Sequence, residues 1–151
     1  MELSHVVFLC KLLQKPAWHF SSTAGGGIDA LLAQQTRPHS DLDIAAKFED
    51  LPAFEECLRR ATYLRSRSEE DGPWNMVFGD SRCHFVDLRG FRFDGDGHGI
   101  LGTPRDNMVY PASALAGSGF LEGMTVRCVV RKQRWDNLGH DDRRKEGTQV
   151  T

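Results

Sequence analysis

The chain has 151 residues, enough for one domain with one core. With 40% hydrophobic and 26% charged residues it is an ordinary globular mix, and its 19 basic against 21 acidic side chains leave a net charge of −2, which is not the balance of a protein held to nucleic acid by counterion release. The longest wholly apolar run, Val6 to Cys10, is too short to span a bilayer, and the opening Met1-Glu2 lacks the basic start of a secretory leader, so a cytoplasmic enzyme or binding protein is expected.

Residues 2–14 place Leu3, Val6, Val7, Cys10 and Leu13 at helical spacing, and Pro16 ends that helix. Trp18 to Thr23 is a short, weakly strand-like stretch running into Ala24-Gly25-Gly26-Gly27. Ile28 to Gln35 reads as a helix with Asp29 in its first turn, where a carboxylate suits the positive end of the dipole. Pro38 makes Thr36 to Ser40 a loop. Asp41 to Ala45 alternates acids with apolar residues and is expected as a strand. Asp50 is placed to cap a following helix with Pro52 in its first turn and Phe54, Leu58 and Ala61 along one side.

Tyr63 to Ser68 is expected as a strand. Trp74–Phe78 and Cys83–Leu88, on either side of Gly79 to Arg82, read as a hairpin whose second strand continues through Phe91 and Phe93. Asp94-Gly95-Asp96-Gly97-His98-Gly99 has the alternating acids of a calcium loop. Arg105 stands where a bidentate Glu is needed, so a tight turn is favoured. Glu122-Gly123 joins two apolar pieces, and Thr125 to Val130 is a further strand. One domain over 1–151 is expected, with a poorly ordered tail from about residue 140. Cys10, Cys57, Cys83 and Cys128 contain no C-x-x-C pair, so they are expected to be buried free thiols rather than zinc ligands or a disulfide framework.

The segment that carries chemistry is 24–44. Period-two alternation puts Asp41 and Asp43 on one face of a strand, about 7 Å apart at the backbone. Two such carboxylates repel, and a divalent cation resolves the conflict; hard oxygen ligands with places left for phosphate oxygens are what Mg²⁺ prefers. Gly25 and Gly26 offer unobstructed backbone N–H groups ahead of a helix N-terminus, which is what phosphates need. Taken singly, a D-x-D is more often a solvated edge and a glycine run more often a plain turn. Their order and spacing as a unit favour the functional reading.

Residues 24–45, AGGGIDALLAQQTRPHSDLDIA, resemble the signature of the antibiotic nucleotidyltransferases, G-G-W-x-x-D-x-L followed by T-R-x-H-x-D-x-D, as found in lincosamide and aminoglycoside 2″-nucleotidyltransferases. Asp29, Leu31, Thr36, Arg37, His39, Asp41 and Asp43 fall in register. The likeness continues more thinly through Asp87, the turn at 94–99 and Gly119 to Cys128, so it covers most of the chain. It implies an α/β (α+β) nucleotidyltransferase-superfamily fold, a mixed β-sheet flanked by helices.

The same resemblance implies Mg²⁺-dependent transfer of a nucleoside monophosphate from ATP, or another NTP, to a hydroxyl of a small antibiotic-like acceptor. Asp41 and Asp43 would hold metal, and Asp87 would complete the metal site or take the hydroxyl proton. Gly25 and Gly26 would cradle phosphate. Arg37 is a candidate for the triphosphate and equally for a loop-fixing ion pair with Asp41 or Asp43, and His39 is expected to fix the loop. A homodimer is suggested, with no nucleic-acid or membrane partner.

The chain departs from the pattern at Ala24, at Gly26 in place of the usual Trp, and at Arg89-Gly90 after Asp87, where relatives often carry His-Pro. Loss of the Trp is expected to widen the acceptor side. These departures and the short polar C-terminal region keep open an alternative: a catalytically weak nucleotide-binding or regulatory module with the same fold.

Overall fold

The computed structural model describes residues 1–13, 41–66 and 72–128, with the backbone of 20–23 and 135–136. The expectations for the glycine turn, the helix at 28–35, the loop bearing Arg37 and His39, and the tail lie outside these residues.

Helix α1, Leu3–Leu13, buries Val6, Val7, Leu9, Cys10 and Leu13, the face its apolar spacing dictates. Strands β1, Phe20–Thr23, and β2, Asp41–Lys47, are antiparallel. Phe48–Asp50 forms a 3₁₀ turn leading into α2, Leu51–Arg60, which buries Leu51, Phe54, Cys57 and Leu58. Asp50 does not cap α2 as expected. Its backbone is already helical (φ −88°, ψ −9°), whereas a capping residue is extended, and its side chain makes no cap hydrogen bond.

A meander follows: β3, Leu64–Ser66; β4, Asn75–Gly79; and β5, Phe85–Phe93. The β4–β5 connection is longer than expected, and its second strand starts at Phe85 rather than Cys83. Asp80 Oδ1 accepts the backbone N–H of Arg82 and of His84, each at 2.9 Å, which fixes the turn. Cys83 sits in that turn at φ +61° and is exposed, so it is not the buried thiol expected; Cys10, Cys57 and Cys128 are buried and free.

Beyond the Asp94 turn, where Asp94 Oδ1 accepts the N–H of Asp96 and of His98, β6 (Gly99–Gly102) and β7 (Asn107–Tyr110) pair with each other. A single helical turn, α3, Ala112–Leu115, precedes the hairpin of β8 (Gly117–Leu121) and β9 (Met124–Cys128). Glu122 and Gly123 both have positive φ, as a two-residue hairpin turn requires. The short β10, Trp135–Asp136, pairs with β7.

The sheet runs β10-β7-β6-β5-β2-β1-β9-β8, with β4 also on β5 and β3 on β4. The β2–β5 and β1–β9 pairs are parallel and the others antiparallel, so the sheet is mixed, with helices against it, as expected. Leu42, Ile44, Val86 and Leu88 lie with Val6, Leu9, Leu13, Phe54 and Leu58 in one core between sheet and helices. Ala45, Phe91 and Leu101 form a smaller cluster with Trp74, Met108 and Tyr110 packed on it. Among the described residues no helix is long and apolar enough to cross a membrane.

Leu88 is fully buried and lies between Asp87 and Arg89 on β5. Leu88→Ala should cost about 2–5 kcal/mol, lost contacts plus cavity, measured by chemical denaturation.

Candidate functional site

Strand β2 alternates as its sequence requires: Leu42 and Ile44 are buried in the helix-side core, while Asp41 is exposed and Asp43 partly exposed on the other face. On β5, Val86 and Leu88 are buried, and Phe85, Asp87 and Arg89 alternate with them. The two strands pair in parallel with Asp41 opposite Phe85, Asp43 opposite Asp87 and Ala45 opposite Arg89. In-register neighbours share a face, so Asp41, Asp43 and Asp87 gather on one surface of two central strands. Thr23, the last described residue before the run Ala24 to Gly27, pairs with Asp43 on the other side.

Sequence reasoning missed Arg89 as a member of this site. Its Nη2 lies 2.9 Å from Asp87 Oδ2 and 3.5 Å from Asp43 Oδ1. The signal was present, because a residue two beyond Asp87 on a strand faces the same way. Burial works against the guanidinium charge, but the hydrogen bond and charge of Asp87, with Asp43 behind it, hold its pKa above the ordinary value. Burial pushes the Asp43 carboxyl up to about 6; Arg89 opposes that rise, and the charges of Asp87 and Asp41 add to it.

Removing Arg89 should therefore hurt the fold most where the acids are charged. Arg89→Gln leaves two partly buried carboxylates facing each other, a loss of about 1–3 kcal/mol once partial exposure is discounted. The Asp43 carboxyl would then titrate higher still, so the deficit should shrink on acidification to about pH 5. Urea denaturation of the variant and the parent at both pH values checks this.

The acid face presents oxygen donors of the type a hard divalent cation takes. Asp87 Oδ1 is buried without a hydrogen-bond partner, beside the Asp43 carboxyl, which burial first and the charges of Asp87 and Asp41 second push up. Asp41, Asp43 and Asp87 offer carboxylate oxygens, the donor type Mg²⁺ takes one or two of beside phosphate oxygens, but the three do not form a group whose ligand atoms all lie within 4.8 Å of one another. The structure thus places Asp41, Asp43 and Asp87 on one face of β2 and β5, with Asp43 beside Asp87; Gly25, Gly26, Asp29, Arg37 and His39 lie outside the described residues. The turn at 94–98 is closed by Asp94 itself.

Comparison with known proteins agrees with this architecture. Residues 5–148 match the aminoglycoside-2″-adenylyltransferase family model. The crystal structure of the lincosamide antibiotic adenylyltransferase LnuA with lincomycin bound superposes with a TM-score of 0.71 at 17% identity, over 84% of this chain and 79% of that one. A crystal structure of ANT(2″)-Ia in complex with adenylyl-2″-tobramycin gives 0.66 at 16% identity, over 85% and 68%. The solution structure of the antibiotic-resistance factor ANT(2″)-Ia gives 0.65 at 16%, over 84% of this chain, which spans 64% of that chain's length. No curated protein matches significantly. At these identities the superpositions establish a shared fold, a mixed sheet flanked by helices. The family match extends over nearly the whole sequence, and on that ground the chain belongs to the aminoglycoside-2″-adenylyltransferase family.

Proposed function

We propose that this protein transfers a nucleoside monophosphate from an NTP, ATP by kinship with adenylyltransferases, to a hydroxyl of a small molecule such as an aminoglycoside or lincosamide antibiotic. The observation that carries the reading is the in-register placement of Asp43 against Asp87, with Asp41 on the same face of β2. Asp41, Asp43 and Asp87 would hold Mg²⁺, which when bound supplies charge neutralisation at the triphosphate and at the entering and leaving oxygens.

The chain's own groups do the rest. Asp87 accepts the proton of the acceptor hydroxyl as its oxygen forms a bond to the α-phosphorus. The bond from that phosphorus to the bridging oxygen breaks, and pyrophosphate leaves. Arg89 holds Asp43 and Asp87 side by side before substrate arrives and limits their mutual repulsion. Gly25 and Gly26 receive phosphate oxygens on backbone N–H groups, and Arg37 takes the triphosphate. The concentration of acids favours a neutral or cationic acceptor, and hydroxyl-rich antibiotics bearing protonatable amines have that character. Gly26, where the family pattern has Trp, is expected to broaden the choice of acceptor. One domain, working in the cytoplasm where NTPs are abundant and assembled as a homodimer, completes the reading.

A second reading is a nucleotide-binding module that catalyses weakly. The guanidinium of Arg89 beside two prospective metal ligands favours it, since it competes with a cation for the same oxygens. The deciding experiment incubates the protein with Mg²⁺, each NTP and a panel of aminoglycosides and lincosamides, and weighs the products. A nucleotidyl mass increment on a panel member supports transfer. Nucleotide binding with no increment on any member supports the module.

A further inference from the structure

A second group of metal-ligating side chains lies away from the acid face. His5 projects from the first turn of α1, which packs on the opposite side of the sheet, and Asp80 and His84 belong to the turn that leads into β5. One ligand atom from each of the three lies within 4.8 Å of the others, and all three residues are partly buried. The two imidazole rings are 4.2 Å apart between centroids.

Partners outside the trio orient it. Tyr63 Oη hydrogen-bonds His5 Nε2, and Tyr63 is itself buried. Asp80 Oδ1 is pinned by the backbone N–H groups of Arg82 and His84, which leaves Oδ2 directed at His84 Nδ1, 2.9 Å away. Burial, with the neighbouring His84 charge, lowers the His5 pKa and favours the neutral imidazole a metal requires.

We propose that His5, Asp80 and His84 form a Zn²⁺ site that fastens α1 to the β4–β5 turn. Two imidazoles and a carboxylate are a donor set suited to this borderline ion, with a fourth position left for water. Bonds of about 2.0–2.1 Å to a tetrahedral ion bring the three ligand atoms about 3.4 Å apart, which asks each to move by about 1 Å or less. The ion enters between Asp80 Oδ2 and His84 Nδ1 and replaces the hydrogen bond that joins them. The bound ion ties the start of α1 to the residue immediately before β5, the strand bearing Asp87 and Arg89. A ligand taken only by the folded chain raises its stability.

The test uses the full chain, stripped with a chelator and titrated with Co²⁺ as a spectroscopic stand-in, followed by Zn²⁺. The expected result is one equivalent of Co²⁺ with tetrahedral-type visible bands, displaced by Zn²⁺, and a higher unfolding temperature with Zn²⁺. His5→Gln and His84→Gln, each checked for native circular dichroism, should weaken binding by at least about tenfold. Asp43→Asn, Asp87→Asn and Cys83→Ser should leave the bands unchanged. Absence of the bands in the parent protein would overturn the proposal. So would bands that survive both histidine variants, or that vanish in Asp43→Asn or Cys83→Ser.

Discussion

Asp43→Asn should give a folded protein that has lost nucleotidyl transfer by at least about 10²-fold, because a charge that holds the metal supplies several kcal/mol in the transition state and each 1.4 kcal/mol is tenfold. The same change should not weaken the ligand-free fold. Burial raises the Asp43 carboxyl from an ordinary 3.8 to about 6, so the folded protein binds the proton more tightly than the unfolded chain. Stability contributed by this group is therefore greatest at low pH and falls as pH rises through about 4 to 6, reaching its lower plateau near neutrality. Asn removes that loss, so the variant should be more stable near pH 7 by on the order of 1–2 kcal/mol, with a flatter pH profile. Denaturation from acid to neutral pH without Mg²⁺, beside a turnover assay, measures both effects. Reduced stability with retained turnover would mean that Asp43 is a structural ion-pair partner of Arg89.

Asp87→Asn separates proton transfer from binding. A positioned carboxylate that takes the hydroxyl proton is typically worth about 10²–10⁴-fold, so turnover should fall by that factor. Asp41 and Asp43 remain, so the nucleotide should bind within about tenfold of its parent affinity. The amide also leaves Arg89 with only Asp43 at 3.5 Å as a charged partner among the described residues. Nucleotide affinity by calorimetry, set against single-turnover rates, distinguishes this from a residue that only holds metal, for which both would fall together.

Much of the site was legible in sequence because strands impose period two. Asp41 and Asp43 had to share a face once Leu42 and Ile44 were assigned to the core, and Asp87 stood out after Phe85-Val86 as an acid within a strand. The pairing of Asp43 with Asp87 was not legible. Nothing local specifies that two strands some forty residues apart pair in parallel, in register; that choice is made by the helices both strands pack against.

Arg89 was noticed as a departure from the family pattern rather than as a counter-ion, since its value depends on that same pairing. The strands β6 and β7 escaped because Gly99-Ile100-Leu101-Gly102 and Asn107-Met108-Val109-Tyr110 carry no polar–apolar alternation. His5 meets His84 through tertiary packing alone, without any spacing signal. Asp50 shows the converse: a capping residue by type, overridden by the 3₁₀ turn before it.

The central claim is that the α-phosphoryl group, with its nucleoside, moves to a small-molecule hydroxyl over the acid face of β2 and β5. Parallel reactions with ATP labelled at the α- or at the γ-phosphate, an aminoglycoside or lincosamide acceptor and Mg²⁺ test it most directly. Label should reach the acceptor from the α-position alone, with γ-label recovered in pyrophosphate, and both products should form at least about 10²-fold more slowly with Asp43→Asn. Label arriving on the acceptor from the γ-position, or undiminished α-transfer by Asp43→Asn, would contradict it.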